Sequence, residues 1–337
     1  MPRALVTGAT GLVGSHIAER LRADGWGVRA LVRAPDSGRW LEKGGVELVG
    51  GDVTDASSFA AAAAGCDTIF HAAAVITGRG DWETYRRLNV DGTANAVAAA
   101  ERSGARLVQL SSVAVYGSET RYRVDGSRTD KATPLPPPAS MAVYGRSKRE
   151  SEELVLAAHA AGRIWATALR PSVVYGPRDR QFTPRVGRLL SRGIMPLIGG
   201  GRSTLAIVHA ANVADGAMLA AAAGHAGGRA YNLTNDGDIT VKEFVRFAAE
   251  GLGRRIRTPV VPYSIARAGV AALSSAIALV KGRALATQAR SSLAFLTHDN
   301  PFSSERARRE LGWAPPVRPA DGIRDAFRWW RENWRLG

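Results

Sequence analysis

Sulfur is almost absent: Cys66 is the one cysteine among 337 residues. No intrachain disulfide can form, and a thiolate metal cluster needs more sulfur than this. Cys66 sits between an Ala-rich run and an apolar strand, so an inert, half-buried thiol is expected. Long uncharged runs are missing too. The stretch 260–280 is the most apolar, yet it holds Ser264, Arg267, Ser274 and Ser275, and its uncharged part, Ala268–Val280, has 13 residues. A membrane span needs roughly 20. This segment reads as a helix that closes a substrate pocket or lies on a membrane surface. The pocket is the favoured reading, and a peripheral membrane contact through 260–280 stays open. The N-terminus runs straight into an apolar strand, without the apolar stretch and small-residue cleavage site of a secretory leader, so a cytoplasmic location is expected.

Acidic residues are in the minority, 30 against 45 Lys plus Arg, giving a formal charge of +15. The basic residues extend from Arg20 and Arg22 to Arg331 and Arg335 without a long block. No zinc finger, basic zipper or RNA-recognition aromatic motif accompanies them, so no nucleic-acid partner is expected. Hydrophobic residues at 45% and charged residues at 22% are ordinary for a globular protein, which excludes wholesale disorder and a collagen-like repeat.

What is present is alternation. Ala4–Thr7, Val28–Val32, Val46–Val49, Thr68–His71, Leu107–Leu110 and Ile164–Leu169 read as short apolar strands. Helical patterns at Leu12–Ala23, Ala56–Ala64, Trp82–Ser103 and Ala142–Ala161 lie between them. This order predicts an α/β fold with a Rossmann-type, doubly wound parallel sheet covered on both faces. The regularity weakens after Pro171. A dinucleotide-binding domain is therefore expected over 1–175, with 203–235 returning to it. A smaller, discontinuous C-terminal substrate domain is expected from 176–202 and 236–337. Gly117–Ser140, basic and then Pro-rich, must be a long loop. With Arg121, Arg123, Arg128 and Lys131 it reads as a solvated basic loop or a lid. Trp329, Trp330 and Trp334 are expected to anchor the last helix.

Gly8-Ala9-Thr10-Gly11-Leu12-Val13-Gly14 follows the first strand and opens the first helix. Gly8 permits the tight turn, Gly11 lets the backbone approach a pyrophosphate, and Gly14 lets the helix pack closely. The helix N-terminus then offers unpaired N–H groups and a positive dipole end. In place of the usual ribose-binding acid, the second strand ends Val32-Arg33. A guanidinium suits a 2′-phosphate, so NADP is the expected cofactor, with NAD kept open by Asp36. Asp52 and Val53, at the end of the third strand, are placed to meet the adenine.

Tyr144 and Lys148 are four apart and share a helix face. An adjacent ammonium favours the phenolate, which lowers a tyrosine's pKa from its usual value near 10 toward the range of a general acid/base. Ser111 and Ser112 end the fifth strand at the sheet edge where open α/β folds bind ligands, and Ser112 is suited to bonding a substrate oxygen and the phenol. His71 and His209 lack the companions of a metal site, and no metal is expected.

With Gly51-Asp52-Val53, His71-Ala72-Ala73-Ala74, Leu88-Asn89-Val90-Asp91-Gly92-Thr93 and Leu169-Arg170-Pro171-Ser172-Val173-Val174-Tyr175-Gly176-Pro177 added, nearly the whole chain resembles the extended short-chain dehydrogenase/reductase superfamily, also catalogued as NAD-dependent epimerases/dehydratases. The resemblance implies a catalytic triad of Ser112, Tyr144 and Lys148. Tyr144 would move the proton, Lys148 tune it and hold the ribose, and Ser112 polarise the oxygen. Asn89 would support the active-site helix and a proton-relay water. The cofactor would touch Gly8, Thr10, Gly11, Leu12, Val13, Gly14, Arg33, Asp52, Val53, His71, Ala72, Ala73, Ala74 and Ser111, with Pro171, Ser172, Val173 and Val174 along the nicotinamide. Val75, Val113, Ala114 and Tyr175 would join Ser112 and Tyr144 around the substrate. The resemblance also implies a homodimer built on the two long helices.

Ser112-Val113-Ala114 stands where sugar dehydratases of the superfamily carry Thr-Asp-Glu, and Leu205-Ala206-Ile207 where nucleotide-sugar epimerases carry Arg-Asp-Phe; Arg202 is a candidate substitute for that Arg. The chain looks most like the branch of 3β-hydroxysteroid dehydrogenases, 2-alkyl-3-oxoacid reductases and dihydroflavonol reductase-like proteins. The expected function is hydride transfer between the nicotinamide and a secondary alcohol or ketone of a fairly apolar small molecule. A sugar epimerase with tightly held NAD is the alternative. A redox-sensing regulator that kept only the fold is disfavoured by the intact triad.

Overall fold

In a computed structural model, the structure describes residues 1–76, 81–117, 133–137, 142–234, 238–269, 271 and 294–333. The expected loop arginines Arg121, Arg123 and Arg128, with Lys131, lie outside these residues, as do Trp334 and, within 260–280, residues 270 and 272–280.

Seven parallel strands form the main sheet. In chain order they are β1 (Arg3–Thr7), β2 (Gly27–Val32), β3 (Val46–Gly50), β4 (Thr68–His71), β5 (Arg106–Leu110), β6 (Ala166–Pro171) and β10 (Ala230–Leu233), and in space they run β3-β2-β1-β4-β5-β6-β10. Every residue of β4, β6 and β10 is buried. Strands covered on both faces read as unbroken apolar runs, which is why they are legible in sequence.

On one face, α1 (Leu12–Ala23) packs against α8 (Ala210–Ala222), joining Ile17, Ala18 and Leu21 to Val213, Ala214 and Ala217. On the other, α3 (Ala56–Ala63), α5 (Gly92–Ser103) and α6 (Val143–Ala160) bring Phe59, Ala62, Ala96, Val155 and Ala158 onto Leu5 and Leu107. Alanines let these helices lie close to the sheet. Cys66 is buried in this layer, and desolvation raises its thiol pKa.

The helix expected over Trp82–Ser103 is composite. α4 (Trp82–Tyr85) passes through a π-helical turn, Arg86–Asp91, into α5. Wide turns of this kind mark functional positions, and this one contains Asn89.

The small lobe holds β7 (Val173–Tyr175) paired with β9 (Ile207–His209), β8 (Leu197–Ile198) paired with β11 (Val260–Val261), and the helices α7 (Phe182–Leu190), α9 (Val241–Leu252) and α11 (Pro319–Asn333). Phe244, Phe327 and Trp330 centre its core, and Trp330 packs on Gly187 so closely that an added Cβ there would meet the indole at 2.7 Å. Trp330 thus anchors the last described helix. One expectation fails: α10 (Glu305–Leu311) and Trp313 pack with Ala217 and Leu233 in the main-sheet core, not with the small lobe. The Trp313 indole donates to the Asn212 carbonyl on α8 (3.0 Å), so a late stretch of chain returns to the first domain. Arg178, at φ 71°, ties the loop after β7 to α1 by donating to Ser15 Oγ (3.0 Å) and pairing with Glu19.

Candidate active site

The glycine turn closes on itself: Gly11 N–H donates to the Gly8 carbonyl at 2.9 Å. A Cβ on Gly14 would lie 2.2 Å from that same oxygen, and a Cβ on Gly8, whose φ is 69°, would sit 2.7 Å from Ala73 N. Both positions therefore require glycine. Gly11 caps α1 without a side-chain acceptor, so the first N–H groups of a 12-residue helix face outward beside the partly open Thr10, Leu12 and Val13. That arrangement suits a pyrophosphate. The strand beyond is knitted to it. Thr7 Oγ1 lies 2.8 Å from His71 Nδ1 and accepts from Ala73 N–H at 3.2 Å, leaving Ala72, Ala73 and Ala74 partly exposed along the crevice.

His71 is fully enclosed, and desolvation together with the nearby Lys148 charge lowers its pKa to about 3. Its Nε2 and the Ser172 hydroxyl are buried polar atoms without a partner among the described residues. Two orphaned polar groups and a Cβ-intolerant cradle at one sheet edge fit a dinucleotide. Asp52 is partly open, and its Oδ1 accepts from Thr54 N–H and Oγ1; Asn95 holds the Val53 carbonyl at 2.9 Å. Arg33 is exposed just past β2. Asp36, the competing ribose ligand, pairs with Arg39 at 2.6 Å.

Two members of the expected triad, Ser112 and Tyr144, come together, and Lys148 does not join them. Ser112 follows β5, accepts from Ala114 N–H at 3.1 Å, and hydrogen-bonds the Tyr144 phenol. Asn89 accepts from Val75 N–H (2.8 Å) and donates to the Val75 carbonyl (3.0 Å) and to Ser147 Oγ (2.9 Å). It thereby pins the strand-end loop to the first turn of α6. The anticipated lowering of the tyrosine pKa by Lys148 is not found. Tyr144 as a residue is only partly buried, but its hydroxyl is enclosed, and desolvation raises its pKa to about 12 against the Ser112 bond. Lys148 is turned to the sheet, where Nζ donates to the Leu110 carbonyl at 2.6 Å. Burial lowers the lysine pKa to about 8, with Glu152 acting the other way.

Three further expectations need correction. Tyr175 is completely buried against His209 and Val113 is sealed in a core cluster with Tyr116 and Phe302; neither is open to the crevice. Ser111 is buried, and its hydroxyl donates to Glu152 Oε2 at 2.6 Å instead of facing the crevice. Val75, Ala114, Val173 and Val174 remain partly open, and Pro171 is buried. His209 caps α8 through Ala211 N–H. Among the described residues no three metal-ligating side chains stand together.

Sequence reading missed the group beneath the triad. Glu152, fully buried one turn after Lys148, pairs with Arg170 of β6. Arg170 also donates to Tyr116 OH at 2.8 Å, and that hydroxyl donates to Asn232 Oδ1 at 2.9 Å. The signal was available: an arginine inside an otherwise apolar central strand must have a buried partner.

The profile of the NAD dependent epimerase/dehydratase family matches residues 4–234. The "4-hydroxy-2-methyl-3-oxo-4-farnesyl-3,4-dihydroquinoline-1-oxide ketoreductase" of Stigmatella aurantiaca is 31% identical over 97% of this chain and 96% of its own length. The "3 beta-hydroxysteroid dehydrogenase/Delta 5-->4-isomerase" of Mycobacterium tuberculosis (strain ATCC 25618 / H37Rv) is 31% identical over 93% of this chain and 86% of its own. The crystal structure of gox2253 superposes with a TM-score of 0.79 at 32% identity, covering 100% of both chains.

Proposed function

Because the chain belongs to the NAD-dependent epimerase/dehydratase family, an oxidoreductase of the extended short-chain dehydrogenase/reductase type, we propose that it reduces the ketone of an apolar small molecule with NADPH. The observation that carries this reading is the Ser112–Tyr144 hydroxyl pair at the C-terminal edge of β5. A phenol held near pKa 12 is a proton donor throughout the neutral range, which suits the reductive direction. Bound nicotinamide would supply the hydride at the adjoining sheet edge. Ser112 would hold the carbonyl oxygen, and Tyr144 would give it a proton as negative charge develops there. Lys148, bonded to the Leu110 carbonyl, would sustain the positive field below. The named ketoreductase and steroid dehydrogenase relatives support an apolar substrate. So do Leu205, Ala206 and Ile207, all buried apolar residues in the place of a nucleotide-sugar clamp. Exposed Arg33, with Asp36 already paired to Arg39, supports NADP over NAD. Pairing of α6, which exposes Leu154, with α4–α5 of a second copy is the proposed dimer contact.

The test is NADPH oxidation followed at 340 nm with a panel of apolar ketones (sterones, 3-oxo acids and prenylated quinolones). Tyr144→Phe should cut turnover by about 10²–10⁴ while NADPH titration stays unchanged. Co-purifying NAD with no net turnover on any ketone would refute the reading in favour of an epimerase.

A further inference from the structure

Acidic residues are distributed very unevenly. None lies between Arg180 and Ala214 or between Gly251 and His298, while these stretches carry five and seven Lys or Arg respectively. They account for twelve of the fifteen net positive charges. The fold brings the described parts of both stretches together. Met195 N–H donates to the Arg257 carbonyl (2.8 Å), Arg257 N–H to the Gly193 carbonyl (2.9 Å), and the Arg254 guanidinium to the Ser191 carbonyl (3.1 Å). β11 then runs alongside β8.

On α7 and its continuation, Arg185, Arg188 and Arg192 recur at helical spacing on the outward side and are exposed. Arg254, Arg255 and Arg257 are exposed on the segment that leads into β11, and Arg267 beyond it. Large apolar side chains stand among these cations. Ile194 is 50% exposed, Val260 65% and Ile265 62%, with Leu189 and Tyr263 also open. They account for five of the nine exposed large hydrophobics among the described residues, so the apolar exposure is concentrated in the stretches that lack acids.

We propose that this face of the small lobe docks on the surface of an anionic lipid bilayer. Cations gathered on one face repel one another, and an anionic partner relieves that repulsion. Aliphatic side chains between them match the boundary of headgroups and acyl chains, where apolar burial and attraction to acidic lipid add. Nucleic acid would satisfy the charge but leave Ile194, Val260 and Ile265 without a function, since bases are read by stacking aromatics and polar side chains. The inference does not depend on the substrate proposed above.

Flotation of the full chain with large unilamellar vesicles tests it directly. Phosphatidylcholine vesicles containing phosphatidylglycerol should carry the protein upward, pure phosphatidylcholine should not, and high salt should release it. The quadruple variant Arg188→Gln, Arg192→Gln, Arg255→Gln, Arg257→Gln should lower partitioning by about 10²–10³-fold, since each charge is worth about fivefold near an anionic surface. The variant Ile194→Ser, Ile265→Ser, with charge unchanged, should lower it about tenfold or more. All variants lie outside the active site, so circular dichroism and NADPH binding report their folding. Absence of flotation with phosphatidylglycerol overturns the proposal. So does indifference to the double serine variant, and duplex DNA bound as tightly by that variant as by the parent assigns the face to nucleic acid. No arm reads turnover, so failure here leaves the reductase reading intact.

Discussion

Glu152→Gln isolates the buried charge that α6 holds one turn after Lys148. The parent carboxylate is fully buried and accepts from Ser111 Oγ (2.6 Å), from Arg170 Nε (3.0 Å) and from Arg170 Nη2. Glutamine keeps the volume and one acceptor oxygen but removes the charge. Arg170, 7% exposed, then keeps Tyr116 and at most one amide oxygen as acceptors and has lost its counter-charge. Removing one member of a buried ion pair costs about 3–5 kcal/mol, mostly because the survivor stays buried and uncompensated. Adding Arg170→Met to Glu152→Gln should recover much of that loss, because an apolar side chain needs no counter-charge. The assay is urea unfolding of four proteins (the parent, each single variant and the double), closing a thermodynamic cycle. Glu152 also favours the charged form of Lys148 one turn away, so the variant should move the Lys148-dependent limb of the pH–rate profile to lower pH. A loss below about 1 kcal/mol for Glu152→Gln, or a double variant no more stable than Glu152→Gln alone, would refute the reasoning.

Gly14→Ala places a Cβ 2.2 Å from the Gly8 carbonyl, so dinucleotide affinity should collapse in a fluorescence titration even where circular dichroism shows the fold retained. Arg33→Ser should weaken NADPH binding by about 10- to 100-fold, the worth of one charge-assisted contact, and leave NADH unchanged; equal losses for both cofactors would remove Arg33 from the 2′-phosphate. His16, His71 and His209 are buried with pKa values lowered to about 4, 3 and 3 from 6.5. The unfolded chain therefore binds more protons than the native one below pH 6.5, and stability falls with falling pH. The loss should approach about 4 kcal/mol per pH unit between pH 6 and 4 if all three histidines contribute, and urea midpoints across that window measure it; a flat profile would mean that they do not stay neutral in the native state.

The parallel sheet was legible because strands buried on both faces must be apolar along their length, as Ala4-Leu5-Val6 and Ile69-Phe70 are. The nucleotide turn was legible because Gly8 and Gly14 occupy positions where any Cβ collides with backbone. Tyr144 and Lys148 were legible because helical spacing alone puts them on one face. Their electrostatics were not. The Tyr144 pKa rises because the assembled protein removes water from its hydroxyl, and Lys148 spends its ammonium on the Leu110 carbonyl; desolvation belongs to the whole fold. Tyr175 and Val113 looked like substrate neighbours by position along the chain, but packing from distant segments, His209 and Phe302, sealed them. The same holds for Glu152 and Arg170, 18 residues apart, and for the arginines of α7 and of 254–257. Local pattern determined the strands, the glycine turn and the shared face of Tyr144 and Lys148, since short-range sterics and periodicity act through neighbours in sequence. Only tertiary structure decided which charges meet, which hydroxyls lose water and which side chains stay open, since those depend on distances between segments that no local pattern encodes.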